Sequence, residues 1–311
     1  MTAGRAHWDP EHLPSQTGRT IIVTGAGRGI GYFVAEQLAR AGAFVIMTTR
    51  DPDQAAAAAR SIREQVPNAQ VGYVRLDLAS LESIRRAAAE LIALGPIDVL
   101  INNGGMTSGP RTRQTTADGL ELTVGTNAFG PFAFTALVWP ALSPAARVVS
   151  LGSLSTRLTK ADLENFQQSQ GRFSFSTAYA YSKHGMHAFA FELDRKLRAK
   201  RSAAKSLLAH PGFALDGWAP HRQGVNKLGS AGARFLERVL GFMSHGRDRG
   251  AWPIVRAATD PDAAGGEFYG PSRSVVGVPV ITTPVAQSAD AEFGRRFWAL
   301  AEGATGLTFE P

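Results

Sequence analysis

From Thr20 onward the chain alternates short runs of β-branched and apolar residues with longer stretches in which apolar positions recur every three or four residues. The short runs predict strands at Thr20–Val23, Phe44–Thr48, Val71–Leu76, Ile97–Ile101, Arg147–Leu151 and Lys205–Ala209. The longer stretches predict helices at Gly29–Ala41, Pro52–Gln65, Ser80–Leu94, Phe129–Leu137 and Thr177–Ala199. In the first of these, Ile30, Phe33, Val34 and Leu38 fall on one face; the second begins on a proline, whose fixed φ suits a first helical position. Strands that alternate with helices in this way require crossover connections, so the pattern predicts an α/β fold: a parallel sheet covered on both faces. After Pro211-Gly212 the periodicity loosens, and residues 212–250 are rich in Gly, Arg and His, with a helix expected over Ala233–Gly241. Without repeats or a low-complexity linker, the simplest organisation is an N-terminal extension over 1–19 and a single domain over 20–311. Within it, 212–260 is expected to form a lid over the substrate.

Composition narrows the chemistry. The 311 residues are 44% hydrophobic and 19% charged, which suits a large packed core and not a disordered chain. There is no cysteine, and this excludes disulfides, cysteine-based zinc sites, iron–sulfur clusters and a thiol nucleophile. The excess of 33 Lys+Arg over 26 Asp+Glu gives a net charge of +7. That balance permits nucleic-acid or anionic-membrane binding, but equally an enzyme that holds phosphates. The densest basic run, Arg195, Lys196, Arg198, Lys200, Arg201 and Lys205, has no interleaved aromatic platform and reads as a solvated helix end. The first twenty residues carry acids and prolines but no apolar signal core. The longest apolar stretch, Ala128–Leu142, is too short for a span and is broken by Gly130, Pro131 and Pro140. The expectation is a cytoplasmic protein without a membrane span, a nucleic-acid partner or a metal site.

The first strand runs directly into Thr24-Gly25-Ala26-Gly27-Arg28-Gly29-Ile30-Gly31, and a helix follows. Glycines between a strand and a helix N-terminus let the backbone approach a pyrophosphate, which the free amides and the helix dipole hold. The second strand ends in Thr48-Thr49-Arg50. An NAD site offers a carboxylate there to the ribose hydroxyls. Here Arg50 and Arg28 provide two guanidiniums that match a 2′-phosphate, unless both are ordinary surface arginines; NADP (NADPH) is the cofactor expected.

Tyr179 and Lys183 stand four apart in Tyr-Ala-Tyr-Ser-Lys, on one face of a predicted helix. A free tyrosine, with a pKa near 10, is a poor base at neutral pH, and a neighbouring ammonium together with a positive nicotinamide ring favours its phenolate. Tyr181 lies off that face and reads as a packing or cleft-wall residue. Ser153 follows the fifth strand, where ligands meet an open α/β sheet, and its hydroxyl can meet a substrate carbonyl oxygen. Ser150 and Ser155 are weaker candidates. His184 and His187 share a helix face without a third ligand, which points to surface or packing positions rather than metal; His210, before Pro211, reads as structural.

Together the TGxxxGxG loop, Asn102-Asn103-Gly104-Gly105 after the fourth strand, Ser153 and Tyr179/Lys183 resemble the short-chain dehydrogenase/reductase family, with its single-domain, doubly wound parallel sheet of Rossmann type and variable C-terminal substrate-binding region. The resemblance implies that Thr24, Gly25, Gly27, Arg28, Gly29, Ile30, Gly31, Arg50, Asp77, Leu78, Asn103, Gly104, Gly105, Tyr179, Lys183, Pro211 and Gly212 meet the cofactor, with Asp77 near the adenine. It also implies Asn127 as a fourth catalytic residue, holding a water that relays protons through Lys183; the residue also reads as a polar group kinking the helix before Gly130 and Pro131. Gly104 stands where the family has alanine, which suggests a slightly looser turn. Asp216 stands where the family often has a threonine that contacts the nicotinamide carboxamide, so that a neighbour takes over or binding weakens.

Ser153 precedes Tyr179 by 26 residues, a longer gap than the family's usual one. The insert, with Ala161-Asp162-Leu163-Glu164, resembles the retinol dehydrogenase and WW-domain-oxidoreductase branch, as do His210-Pro211-Gly212, Gly250-Ala251, Ala258-Thr259-Asp260-Pro261, Gly266 and Phe297-Trp298. The expected activity is interconversion of an alcohol and a carbonyl, with a homodimer or homotetramer implied by the family. Phe166, Phe173, Phe175, Phe213, Trp218 and Trp252 suggest a bulky apolar substrate, although core packing could explain each. A C=C reductase, an epimerase or a catalytically weak cofactor-binding regulatory protein would use the same residues.

Overall fold

The computed structural model describes residues 8–226 and 243–311, so the helix expected over Ala233–Gly241 lies outside the described residues. Eight strands form one sheet: β1 (Thr20–Thr24), β2 (Phe44–Thr49), β3 (Val71–Arg75), β4 (Ile97–Asn102), β5 (Leu142–Leu151), β6 (Lys205–Ala209), β7 (Phe268–Pro271) and β8 (Pro279–Ile281). Their order is β8-β7-β6-β5-β4-β1-β2-β3, with every pairing parallel except β7 with β8. The order reverses between β1 and β4, the position at which sheets of this kind form a crevice at the carboxyl edge.

The main helices are α1 (Gly29–Arg40), α2 (Pro52–Gln65), α3 (Leu81–Leu94), α4 (Gly130–Val138), α5 (Phe175–Ala199), α6 (Trp252–Thr259) and α7 (Ala291–Thr305). Alternate strand residues feed two cores. Ile21, Val23, Val45 and Met47 pack with Phe33, Leu38, Ile62 and Ile254 of α1, α2 and α6. Ile22, Ile46, Leu100 and Val148 pack with Ile84, Phe132, Phe189 and Trp298 of α3, α4, α5 and α7. Both faces of the sheet are therefore dry, which fixes the register of each strand, because a one-residue slip would exchange the two sets.

The basic run closes α5 as a helix end. Lys196 and Arg198 lie in its last turn, where cations meet the dipole, and Arg195 and Arg198 pair with Glu192 and Asp194 at 2.7 Å each. No helix among the described residues is long and apolar enough to cross a membrane.

The C-terminal segment is more ordered than its sequence suggests. Ala214–Leu215 and His245–Gly246 form a two-stranded parallel ladder, and α6, β7, β8 and α7 complete the sheet and both cores. The segment is anchored to α1: Arg222 grips the buried Glu36 through Nε–Oε2 at 2.7 Å and Nη2–Oε1 at 2.9 Å, and Gln37 Nε2 donates to Asp248 O at 2.8 Å.

Candidate active site

Helix ends show where the fold leaves room for an anion. Asp51, Ser80, Ser174 and Asp290 cap α2, α3, α5 and α7 by accepting backbone N–H bonds. At α1 the capping position is Arg28, which makes no such bond, and the first turn carries no acid. The amides of Gly29 and Ile30 thus begin a helix whose positive end faces the crevice without a side-chain partner.

The loop before α1 is braced by its neighbour. Thr24 Oγ1 donates to Ile101 O at 3.2 Å and accepts from the amides of Asn103 at 3.0 Å and Gly104 at 2.8 Å. Asn103 Nδ2 donates to Thr24 O at 2.7 Å. Thr24 and Asn103 therefore join the loops leaving β1 and β4. Gly25, at φ +67°, lies so close to this junction that an added Cβ would come 2.7 Å from Gly104 Cα. Gly104 is no looser than alanine would be: a methyl there would crowd Leu78 Cδ1 and the backbone of Gly25, so the turn is tight because the residue is glycine. Gly27 faces the side chain of Gln54, Gly31 packs on Gly25 O, and Gly105 lies against Asn127 Oδ1. Asp77 Oδ1 caps its own turn by accepting from Ala79 N at 3.0 Å.

These features fit a dinucleotide: a cradle that any Cβ would fill, uncapped amides, and two exposed guanidiniums, Arg28 and Arg50, with no ion pair among the described residues. Thr49 at the end of β2 is buried, and the next carboxylate, Asp51, turns into the cap of α2. No acid from the β2 end therefore competes for the position of a ribose 2′-substituent.

Beyond β5 the catalytic candidates come together. Burial pushes the pKa of the Tyr179 phenol above the usual value, against a smaller lowering effect of the Ser153 side chain beside it. Lys183 is buried, donates from Nζ to Leu151 O at 3.0 Å and lies 5.8 Å from the Tyr179 ring centroid. Burial lowers its pKa to about 8. Desolvation is the largest influence on the phenol and favours its protonated form.

Asn127 sits in a π-helical turn, Gly125–Phe129, that leads into α4. Its Oδ1 accepts from Met106 N at 2.8 Å, while Nδ2 donates to Met106 O at 2.9 Å and to Ser182 Oγ at 3.3 Å. The side chain pins the loop after β4 to α5, and the wide turn is the helix irregularity expected before Gly130 and Pro131.

Other candidates separate. Tyr181 stacks on Phe166 at 5.9 Å, and Phe166 is buried with Phe129 and Phe297, so both are core residues. Trp252 packs into the α1-side core. Phe166 therefore belongs to the core, and Trp252 stays partly exposed at its edge. Phe175 stacks beside Tyr179 at 6.2 Å, and Phe213 and Trp218 are exposed on the segment after β6. His184 is buried between Thr159 O and Ser288 Oγ, both at 2.8 Å. His210, lowered to about 4 by burial, accepts from Gly212 N at 3.2 Å and so shapes the Pro211-Gly212 turn. At Gly212, with φ +69°, a side chain would strike Val275 O.

The role of one histidine, read from the sequence as a surface or packing residue, goes beyond that expectation. His187, one turn beyond Lys183, accepts at Nε2 from the Ser153 amide at 3.3 Å and packs on Gly152. Burial drives its pKa well below 6.5, so the ring is neutral and able to accept. Its spacing of four from Lys183 was the available signal, but nothing in the sequence says which strand end that face meets.

Comparison with known proteins agrees with this geometry. Residues 19–213 match the family model for short chain dehydrogenases. Mouse (Mus musculus) polyprenol dehydrogenase is 34% identical over 97% of this chain and 88% of its own. Human (Homo sapiens) retinol dehydrogenase 13 is 33% identical over 93% of this chain and 85% of its own. A crystal structure of an uncharacterized protein from Mycobacterium Paratuberculosis, 34% identical, superposes with a TM-score of 0.80 over 97% of this chain and 98% of that one. The chain belongs to the short-chain dehydrogenase/reductase family of oxidoreductases, in its retinol dehydrogenase-like branch.

Proposed function

We propose that the protein is an NADP(H)-dependent oxidoreductase that interconverts an alcohol and a carbonyl on a bulky apolar substrate. The observation that carries this reading is the grouping of the partly buried Ser153 and Tyr179 with the buried Lys183 at the end of β5, on the same sheet edge as the uncapped start of α1. The unpaired Arg28 and Arg50, with Asp51 occupied as a helix cap, support NADP over NAD. A solved structure from Burkholderia cenocepacia, bound to NADP, shares the fold at 22% identity and a TM-score of 0.61. Relatives named for polyprenol and retinol, and the aromatic residues Phe175, Phe213 and Trp218, support an apolar substrate. Residues 212–260 act in this reading as its cover, and the family resemblance adds assembly as a homodimer or homotetramer.

Bound NADPH supplies the hydride that reduces the carbonyl carbon. Tyr179 gives its proton to the carbonyl oxygen, which is why a phenol held protonated by burial suits the reductive direction. Ser153 Oγ holds that oxygen as charge develops on it, and His187 fixes the Ser153 backbone. The Lys183 ammonium, charged below a pH of about 8, restores the tyrosine's proton and offsets the phenolate. Asn127 keeps the loop after β4 against α5 and closes the proton path.

The test is a panel of aldehydes and ketones followed by NADPH absorbance, with Tyr179→Phe as the control. Turnover by the native protein, with a loss of about a hundredfold or more in the variant at preserved NADPH affinity, supports the mechanism. Undiminished turnover in the variant overturns it.

A further inference from the structure

The position that carries Asp216 does not face the crevice alone. Its Oδ2 pairs with Arg247 Nη2 at 3.0 Å, from the other side of the two-stranded ladder. Arg247 in turn lies directly on the glycine loop: a Cβ added to Gly29, the first residue of α1, would come 2.8 Å from Arg247 Nη1. The helix that begins at Arg247 packs beside α1 and is fixed there by the bond from Gln37 to Asp248 O.

This placement is electrostatically odd. A guanidinium is disfavoured at a helix N-terminus, where the dipole is positive, and Arg28 adds a further positive charge at the same turn. Asp216 supplies the local compensation, but through one oxygen; its Oδ1 is shielded from solvent and has no hydrogen-bond partner among the described residues. The nearby Asp248 helps little, since burial raises its pKa and disfavours its charge, and Arg249 faces the Trp252 ring. The cluster holds more positive than negative charge around a cradle without side chains. A dianionic pyrophosphate is the chemical class that balances it.

We propose that Arg247 is a pyrophosphate ligand of the bound dinucleotide, held in reserve by Asp216 and transferred from the carboxylate to the phosphates on binding. This rests on the reading of the chain as a dinucleotide-dependent oxidoreductase. It gives Asp216 a role that a threonine could not fill: a carboxylate facing the phosphates is repulsive by itself, and Arg247 makes it tolerable.

Two signs distinguish a ligand from a strut. Removing Arg247 leaves Asp216 unpaired against the phosphates, whereas removing the carboxylate frees Arg247 for them. Calorimetric titration of the full-length protein with NADPH and, separately, with adenosine 2′-monophosphate, which lacks the pyrophosphate, reads both. Arg247→Ala is expected to weaken NADPH about tenfold and to leave adenosine 2′-monophosphate unchanged. Asp216→Asn is expected to tighten NADPH about twofold to threefold, and Arg247→Lys to retain part of the affinity. Circular-dichroism melting checks that each variant is folded. NADPH affinity unchanged in Arg247→Ala, or an equal weakening in Arg247→Ala and Asp216→Asn, would overturn the proposal. If the native protein binds NADH in place of NADPH, only the choice of cofactor fails, and the same variants are read with NADH. If it binds neither, the functional reading fails and this inference with it.

Discussion

The glycine loop and the segment after β6 meet at the same edge of the sheet, yet they are held by different forces. The loop is fixed by short neutral bonds around Thr24 and Asn103 and by glycines too close for any side chain. The later segment is held chiefly by ion pairs, Arg222 on Glu36 and Arg247 on Asp216, beside a neutral contact of His245 Nε2 with Pro211 O at 2.7 Å. A lattice of neutral bonds can only be kept or broken. The half-exposed pair of Arg247 and Asp216 can instead be exchanged for a ligand's charges. The loop thus provides a preformed shape, and the later segment provides charges that can change partner.

Breaking the shape should have the largest effect. Gly31→Ala places a methyl on the backbone carbonyl of Gly25, so that the loop must move. NADPH affinity, measured by calorimetry, is expected to fall by about a hundredfold or more, as displacements near 1 Å do at reacting sites. Breaking the long-range hold should affect stability instead. Arg222→Ala leaves Glu36 buried with Arg40, at 3.0 Å, as its remaining ion-pair partner among the described residues. The expected loss is about 2 kcal/mol in chemical denaturation, below the range for a fully orphaned buried charge because Arg40 remains.

A pH profile separates the catalytic set from both regions. Lys183 has its pKa lowered to about 8, so it is charged at neutral pH and loses its proton as pH rises through that value. Tyr179 is shifted the other way and stays protonated over that interval. Carbonyl reduction is therefore expected to be flat below a pH of about 8 and to decline above it, approaching tenfold per unit; a rate that rises there would contradict the assignment. His187→Leu should have the smallest effect. It removes the acceptor for the Ser153 amide, but it also removes Nδ1, which is buried without a partner. Catalytic turnover is expected to drop about fivefold while the melting temperature hardly changes.

The same contrast governs what could be read from the chain. Local rules found α2 and β6 to the residue, because apolar periodicity and strand runs are properties of neighbours. They started β5 five residues late, since Leu142-Ser143-Pro144-Ala145-Ala146 does not look like a strand, and they missed β7, whose four residues include Gly270 and Pro271. The sequence reading counted six strands, and the sheet gains two more from the C-terminal segment. In the site, Ser153, Tyr179 and Lys183 were legible because their spacing is tied to one strand end and one helix face. His187 and Arg247 were not, because a hydrogen bond to a residue 34 positions away and a contact with Gly29 depend on packing that no local pattern encodes. The upward shift of Tyr179 was hidden for a related reason: it comes from burial, a property of the assembled fold that no local spacing displays.

The most direct test of the central claim follows the hydride. The native protein is incubated with long-chain apolar aldehydes and ketones, including α,β-unsaturated ones, and NADPH carrying deuterium at C4 of the nicotinamide. The product is analysed by mass spectrometry and NMR. If Ser153, Tyr179 and Lys183 act as described, deuterium appears on the carbinol carbon, and Tyr179→Phe abolishes the label while still binding NADPH. Deuterium on the β-carbon of the unsaturated substrates, or NADPH binding without any labelled product, would contradict it.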